Sequence, residues 1–248
     1  MQAIIMAAGK GSRLGGLTED MPKAFLEIRG IKLIEYNIAL LHSCGIRDII
    51  LLTGYRSEAF EELAAGIEGV RCIFNPFYEM VNVLGSFYMA QEYLTEDIVY
   101  MHGDTLCAPE IFLEMLQNEG DMVLPVDFKV CDEEAMKVRM DKGALVEISK
   151  QIPCDVGEGE FIGIAKISKN ILDDLKWASR KVLKEKRFNS YFEAAIQELI
   201  ELGQYDLRII PTRDAFWAEV DFQEDFERAA AEISEELVKI SEKEFAET

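Results

Sequence analysis

Met1-Gln-Ala-Ile-Ile-Met-Ala-Ala-Gly-Lys-Gly-Ser-Arg-Leu-Gly-Gly-Leu-Thr-Glu-Asp-Met-Pro-Lys23 is the stretch from which the rest of this chain can be read. The isoleucine-rich run Gln2 to Met6 predicts a buried strand, and Ala7, Ala8, Gly9 and Gly11 end it in a loop whose bare backbone a ligand can approach. Glycines alone would specify only a turn after a strand. Successive N–H groups in such a loop bind anionic oxygens, however, and Lys10, Arg13 and Lys23 bring cationic side chains to the same place.

Two glycine motifs fail here. A dinucleotide fingerprint needs a third glycine where the chain has Leu14, and a P-loop needs Gly-Lys-Ser/Thr, which Lys10-Gly11-Ser12 does not supply. The longer pattern Ala7-Ala8-Gly9-Lys10-Gly11-Ser12-Arg13-Leu14, followed by Pro22-Lys23, resembles the nucleotidyltransferases that activate sugar phosphates and related phosphate or phosphonate compounds with a nucleoside triphosphate. That resemblance implies an α/β fold, a doubly wound Rossmann-like mixed sheet with helices on both faces.

Composition is compatible with this. The chain has 248 residues and 49% hydrophobic content, enough for a sizeable core in one domain over 1–248. A nucleotide-binding half is expected over about 1–120, an acceptor-binding half over about 121–222 and a closing helix over about 223–245. A formal charge of −20 argues against nucleic acid as a partner. Residues 1–32 nevertheless carry five basic side chains against three acidic ones, a local excess suited to holding a polyanion. No apolar run reaches the ~18 residues of a membrane span. The five scattered cysteines are odd in number and lack C-x-x-C spacing, which argues against a disulfide framework or zinc site and fits a reducing cytoplasm.

Along the chain, short β-rich runs alternate with helical patterns, as in a sheet with crossover helices. Strands are expected at Asp48–Thr53, Val70–Phe74 and Ile98–His102, with helices at Leu33–Cys44, Glu58–Ala65 and Ser86–Leu94 between them. The second half reads as strand Met122–Lys129, a hairpin around Asp141-Lys142-Gly143, a strand Glu160–Ile167, helices Ile171–Glu185 and Tyr191–Leu202, and strand Leu207–Ile210.

In open α/β sheets ligands bind outside the carboxyl ends of the strands, so Asp104, presented after His102-Gly103, is a candidate metal carboxylate. An Asp opening a turn is the plain alternative; the resemblance places a metal-binding Asp at this point. It also implies a second one at Asp221, in Trp217-Ala218-Glu219-Val220-Asp221. The segment Asn75-Pro-Phe-Tyr-Glu…Asn82…Ser86-Phe87 is similar to one in relatives that use CTP with choline phosphate or phosphonates. Asn82 and Ser86 match, whereas Val83 and Phe87 depart from the pattern. Asn82 and Ser86 suit the edge of a pyrimidine; a turn and a helix cap would use the same residues.

The implied site has Lys23 and Arg13 as catalytic cations, Ala8, Gly9 and Gly11 as the phosphate cradle with Asn82 and Ser86 at the base, and Mg²⁺ on Asp104 and Asp221. Lys129, Glu160, Trp217 and Glu219 are expected around the acceptor. Lys129 either meets the acceptor's anionic end or forms a surface ion pair with Asp127, and the aromatic rings are either pocket walls or core. Neither His42 nor His102 is given a role, and no partner for His102 is identifiable. The expected reaction, as the resemblance implies, transfers CMP from CTP to a small phosphate or phosphonate bearing an ammonium group, such as choline phosphate or 2-aminoethylphosphonate, and releases pyrophosphate, with no nucleic-acid or membrane partner and a homo-oligomer left open. Alternatives are a UTP- or dTTP-dependent sugar-1-phosphate nucleotidyltransferase and, in another class, a nucleotide-binding regulatory module. A dinucleotide-dependent oxidoreductase is disfavoured by Leu14.

Overall fold

The computed structural model describes residues 1–233 and 235–245. In chain order its elements are β1 (Gln2–Ala7), a short hairpin of β2 (Glu27–Ile28) and β3 (Ile31–Lys32), α1 (Leu33–Ser43), β4 (Asp48–Thr53), α2 (Ser57–Ala65), β5 (Val70–Phe74), α3 (Val83–Ala90) and β6 (Ile98–His102). Then come β7 (Thr105–Cys107), α4 (Pro109–Gln117), β8 (Met122–Asp127), β9 (Lys137–Asp141), β10 (Ala144–Ser149), β11 (Gly159–Phe161), β12 (Ile164–Ile167) and α5 (Leu172–Lys184). The chain closes with α6 (Glu193–Leu202), β13 (Leu207–Pro211), β14 (Trp217–Glu219), α7 (Gln223–Glu232) and α8 (Glu235–Phe245).

Ten strands form one mixed sheet in the order β10-β9-β11-β8-β12-β6-β1-β4-β5, with β13 also paired to β8. β1 lies between β4 and β6, parallel to both, with Ala7 opposite Thr53 and Met6 opposite His102. The chain winds from β1 outward through β4 and β5, then returns to β6 on the other side. That reversal opens a crevice at the carboxyl ends of β1 and β6, where ligands bind in such sheets.

Alternation along the strands feeds two cores, one per face. Ala3, Ile5, Val99 and Met101 pack with α1 and α4 residues such as Ile34, Tyr36 and Phe112, while Ile4, Ile98 and Tyr100 face Phe87, Leu175 and Phe192. The expected doubly wound sheet with helices on both faces is therefore present.

Several local expectations differ: besides the unexpected short strands β2, β3, β7 and β14, the strand expected to Lys129 ends at Asp127 and the helix expected to Leu94 ends at Ala90. The strand expected over Glu160–Ile167 is two, because Gly163 takes φ 79 and kinks the chain between β11 and β12. The third helix starts at Val83 rather than Ser86, since Asn82 accepts a hydrogen bond from the Val83 N–H and caps it. The helix expected from Tyr191 starts at Glu193. The closing helix expected over about 223–245 is two helices, the first ending where Ile233 leaves helical geometry at φ −57, ψ 126 and buries its side chain in the core. Ser234 and residues 246–248 lie outside the described residues.

Candidate active site

The loop after β1 is folded around Lys23. Gly11 adopts φ 69, and its carbonyl accepts from Leu14 N at 3.0 Å and Thr18 Oγ1 at 2.8 Å. A β-carbon on Gly11 would lie 2.8 Å from Lys23 Cβ, so the glycine supplies both the left-handed backbone and the path for the lysine. Lys23 is only 8% exposed. Its ammonium donates to Asp104 Oδ2 at 2.6 Å and to Asp221 Oδ1. Burial alone would lower the Lys23 pKa, but Asp104 and Asp221 outweigh it and hold the ammonium well above the ordinary lysine range. Asp104 is depressed in turn: burial opposes its ionisation, and the charge of Lys23, with smaller help from His102, wins.

The two carboxylates come from segments far apart in sequence, and backbone pairing aligns them. β14 runs antiparallel to β7, setting Glu219 opposite Thr105, and Val220 N donates to the Asp104 carbonyl at 3.1 Å. Asp221 is thereby carried to Asp104. Arg13 sits 3.5 Å from Asp221 Oδ2 and 3.1 Å from Glu134 Oε2, with its guanidinium 5.3 Å from the centre of the Phe222 ring.

A cavity of about 300 Å³ opens beside this cluster. Ala8, Gly9, Arg13, Asn82, Ser86, Asp104, Glu219 and Asp221 line it, so eight of the expected site residues share one space. A wider cavity of about 760 Å³, lined by His42, Arg47 and Arg71 among others, contains none of them. Ser86 is buried in α3, where its Oγ accepts from Asn75 Nδ2 at 2.9 Å. Asn82 commits its amide to structure, with Oδ1 on the Val83 N–H and Nδ2 on the Asn189 carbonyl at 3.3 Å.

Lys129, Glu160 and Trp217 form a neighbouring cluster that does not line the cavity. The Lys129 ammonium lies 2.8 Å from Glu160 Oε2, 3.3 Å from Asp127 Oδ2 and 4.7 Å from the centre of the Trp217 ring, while Trp217 Nε1 donates to Asp127 Oδ2 at 3.0 Å. Burial would lower the Lys129 pKa, and Glu160 outweighs it to raise the group.

The cavity also contains residues to which sequence reading assigned nothing. His102 Nδ1 lies 3.2 Å from Glu219 Oε1, and its Nε2 lies 3.0 Å from the Tyr100 hydroxyl. Gly163 makes this possible, because a β-carbon there would lie 2.5 Å from His102 Nδ1. Burial opposes charge on this imidazole, yet the Glu219 hydrogen bond and charge raise its pKa to about 9. Glu193 opens α6 and is 2% exposed; burial pushes its carboxyl above the usual range, with His102 the main opposing influence. Lys150 reaches in from the end of β10, 5.0 Å from the centre of the Tyr191 ring and 3.6 Å from Glu134 Oε2. The only sequence signal for His102 was its place beside Asp104, and for Lys150 its place just past a strand.

The residues that fit a divalent cation are the carboxylates. Asp104 and Asp221 both reach the single nitrogen of Lys23, so their oxygens are close enough to share one small cation, and an all-oxygen donor pair suits Mg²⁺. Ligand atoms of His102, Asp104 and Glu219 also lie within 4.8 Å of one another, but His102 already has Tyr100 and Glu219 as partners. Among the described residues, no helix is long and apolar enough to cross a membrane.

Known proteins resemble this chain in sequence and in fold. The family model described as MobA-like NTP transferase domain matches residues 3–140. A CTP:phosphoglutamine cytidylyltransferase from Campylobacter jejuni is 28% identical over 250 residues, spanning 92% of this chain and 98% of the relative. A choline-phosphate cytidylyltransferase from Streptococcus pneumoniae is 43% identical over 144 residues, 53% of this chain and 62% of the relative. The solved structure of a CTP:phosphocholine cytidylyltransferase from Streptococcus pneumoniae superposes with a TM-score of 0.77 at 24% identity, covering 93% of this chain and 97% of that one.

Proposed function

The chain belongs to the family of the MobA-like NTP transferase domain, and on that premise we infer that it transfers CMP from CTP to a small phosphate or phosphonate acceptor and releases pyrophosphate. The observation that carries this reading is the convergence of Lys23, Asp104 and Asp221 beside a cavity that the two carboxylates line together with Ala8 and Gly9 of the glycine loop. A module that only bound nucleotide would not need two carboxylates so placed. The cytidylyltransferases among its relatives favour CTP.

The chemistry asks little of a general base, because the attacking oxygen of a phosphate or phosphonate is already ionised near neutral pH. Bringing two anions together is the obstacle, so catalysis consists of alignment and charge neutralisation. The backbone at Ala8, Gly9 and Gly11 holds the triphosphate. Lys23 meets charge that grows at the α-phosphate, and Arg13 steadies the leaving pyrophosphate. Mg²⁺ on Asp104 and Asp221 would supply further neutralisation of the triphosphate. Ser86 faces the base end of the cavity. With the Asn82 amide committed to the α3 cap, its contribution there is to position Ser86 one turn further on. Lys150, which lines the cavity, is the better-placed cation for the acceptor's anionic end; its carboxylate Glu134 stands off at 3.6 Å, whereas Lys129 lies 2.8 Å from Glu160 and 3.3 Å from Asp127.

A pyrophosphate-release assay with CTP, UTP, dTTP, ATP and GTP over a panel of acceptors tests the reading. Turnover with CTP and a phosphate or phosphonate acceptor is expected. Preference for UTP or dTTP with a sugar 1-phosphate would overturn the choice of substrates.

A further inference from the structure

Glu193 has no hydrogen-bond partner for either carboxylate oxygen, although it is 2% exposed and lines the same cavity as Asp104 and Asp221. Its nearest cationic atom is His102 Nε2, at 4.0 Å from Oε1, beyond hydrogen-bond reach and already 3.0 Å from the Tyr100 hydroxyl. A buried carboxylate left this way is costly unless something with N–H donors completes it. The neighbouring Glu219 adds a second negative charge on the other side of His102.

Two of the aromatic rings near this carboxylate already hold a cation, and a third is packed in the core. The face of Trp217 is taken by the Lys129 ammonium and that of Tyr191 by the Lys150 ammonium. Phe192 stacks on Tyr100 at 3.9 Å, packs against Phe87 at 4.8 Å and is fully buried in the core with both of them. Tyr78 sits at the glycine loop beside Gly54 and Ala8. A trimethylated ammonium, which has no N–H and is recognised through open aromatic faces, would compete with Lys129 for Trp217 and with Lys150 for Tyr191. A primary ammonium has three donors for an unpaired carboxylate.

Building on the reading of the chain as a transferase to small phosphates or phosphonates, we propose that Glu193 is a specificity residue that binds the primary ammonium of the acceptor, and that the site selects –NH₃⁺ over –N(CH₃)₃⁺. The contact is polar and charge-assisted, so the discrimination depends on the N–H groups more than on charge alone.

Three matched phosphonates test this: 2-aminoethylphosphonate, its N,N,N-trimethyl counterpart and ethylphosphonate, each assayed with CTP and Mg²⁺ for pyrophosphate release and each titrated calorimetrically into the protein. The expected result is a kcat/KM for the primary amine about 10- to 100-fold above the trimethylated compound, with the same order in binding. Glu193→Gln should bring the primary amine to within about threefold of ethylphosphonate, while Glu193→Asp, which keeps the charge, retains most of the preference. Thermal unfolding of both variants establishes that they are folded. Equal or better use of the trimethylated compound overturns the proposal, as does an unchanged preference in Glu193→Gln. If no acceptor releases pyrophosphate, the transferase reading fails by itself, and calorimetry still decides the ammonium: equal binding of all three compounds, or none by any, overturns it.

Discussion

The Lys23 ammonium donates to Asp104 Oδ2 at 2.6 Å across 81 residues of sequence, while the same nitrogen holds Asp221. One buried cation thus joins the loop after β1 to the carboxylates that follow β6 and β14. Removing it takes away the charge that we propose meets the α-phosphate. Lys23→Ala is expected to lower kcat by about 10²–10³-fold with a much smaller rise in the Kd for CTP, as steady-state kinetics and calorimetry would reveal. An unchanged kcat with only a raised KM would mark the lysine as a ground-state anchor.

Asp104→Asn and Asp221→Asn should each reduce turnover by at least about 10²-fold, and EDTA should abolish it in the unaltered protein. Each variant leaves Lys23 with one carboxylate, so thermal unfolding of the metal-free protein should move little. Full activity in either variant or in excess EDTA would refute the metal assignment.

Gly11→Ala tests the loop itself. A β-carbon at φ 69 costs about 1–2 kcal/mol from the backbone alone, and here it also meets Lys23 Cβ at 2.8 Å. Loss of activity should exceed loss of stability, because the displaced atom belongs to the lysine; the ratio of kcat to Tm effects, compared with Gly9→Ala where a β-carbon meets nothing within 4 Å, is the measurement.

Gly163→Ala should act on His102 in the same manner. The residue lies at φ 79 and its β-carbon would fall 2.5 Å from the imidazole, so the ring must leave Glu219. A Tm lowered by about 4 °C or more is expected from the left-handed backbone penalty plus the clash. An unchanged Tm would show that the chain relaxes at the kink between β11 and β12.

Lys150 and Lys129 can be set against each other. Lys150 lines the cavity, whereas Lys129 is held between Glu160 and Asp127. Lys150→Ala should raise the acceptor KM about tenfold and Lys129→Ala by less, with the CTP KM changing little in both. The opposite order would restore Lys129 as the acceptor's anchor.

The amino-acid sequence by itself determined the order of the longer strands and helices, because alternation with period two and glycine- or proline-marked turns are local properties that survive without tertiary context, whereas the short strands β2, β3, β7 and β14 carry too few residues for such a pattern. It also marked the loop of Gly9, Gly11 and Lys23 and, just past a strand, Asp104, while Asp221 was marked only through the resemblance of Trp217–Asp221 to a family motif. What only the tertiary structure decided is which side chains face the shared cavity. Glu193 reads in sequence as an acidic residue in the first turn of a helix; it becomes a buried carboxylate 4.0 Å from His102, with no hydrogen-bond donor on either oxygen, only when α6 packs beneath Tyr100 and His102. His102 looked unpartnered because Glu219 is 117 residues away. Lys129 and Lys150 are equivalent as sequence, each near a strand end, and differ because β11 brings Glu160 alongside Asp127 at the first of them. Burial and pairing depend on contacts between segments a hundred residues apart, and no local pattern encodes which of two candidate cations will find its charge already taken.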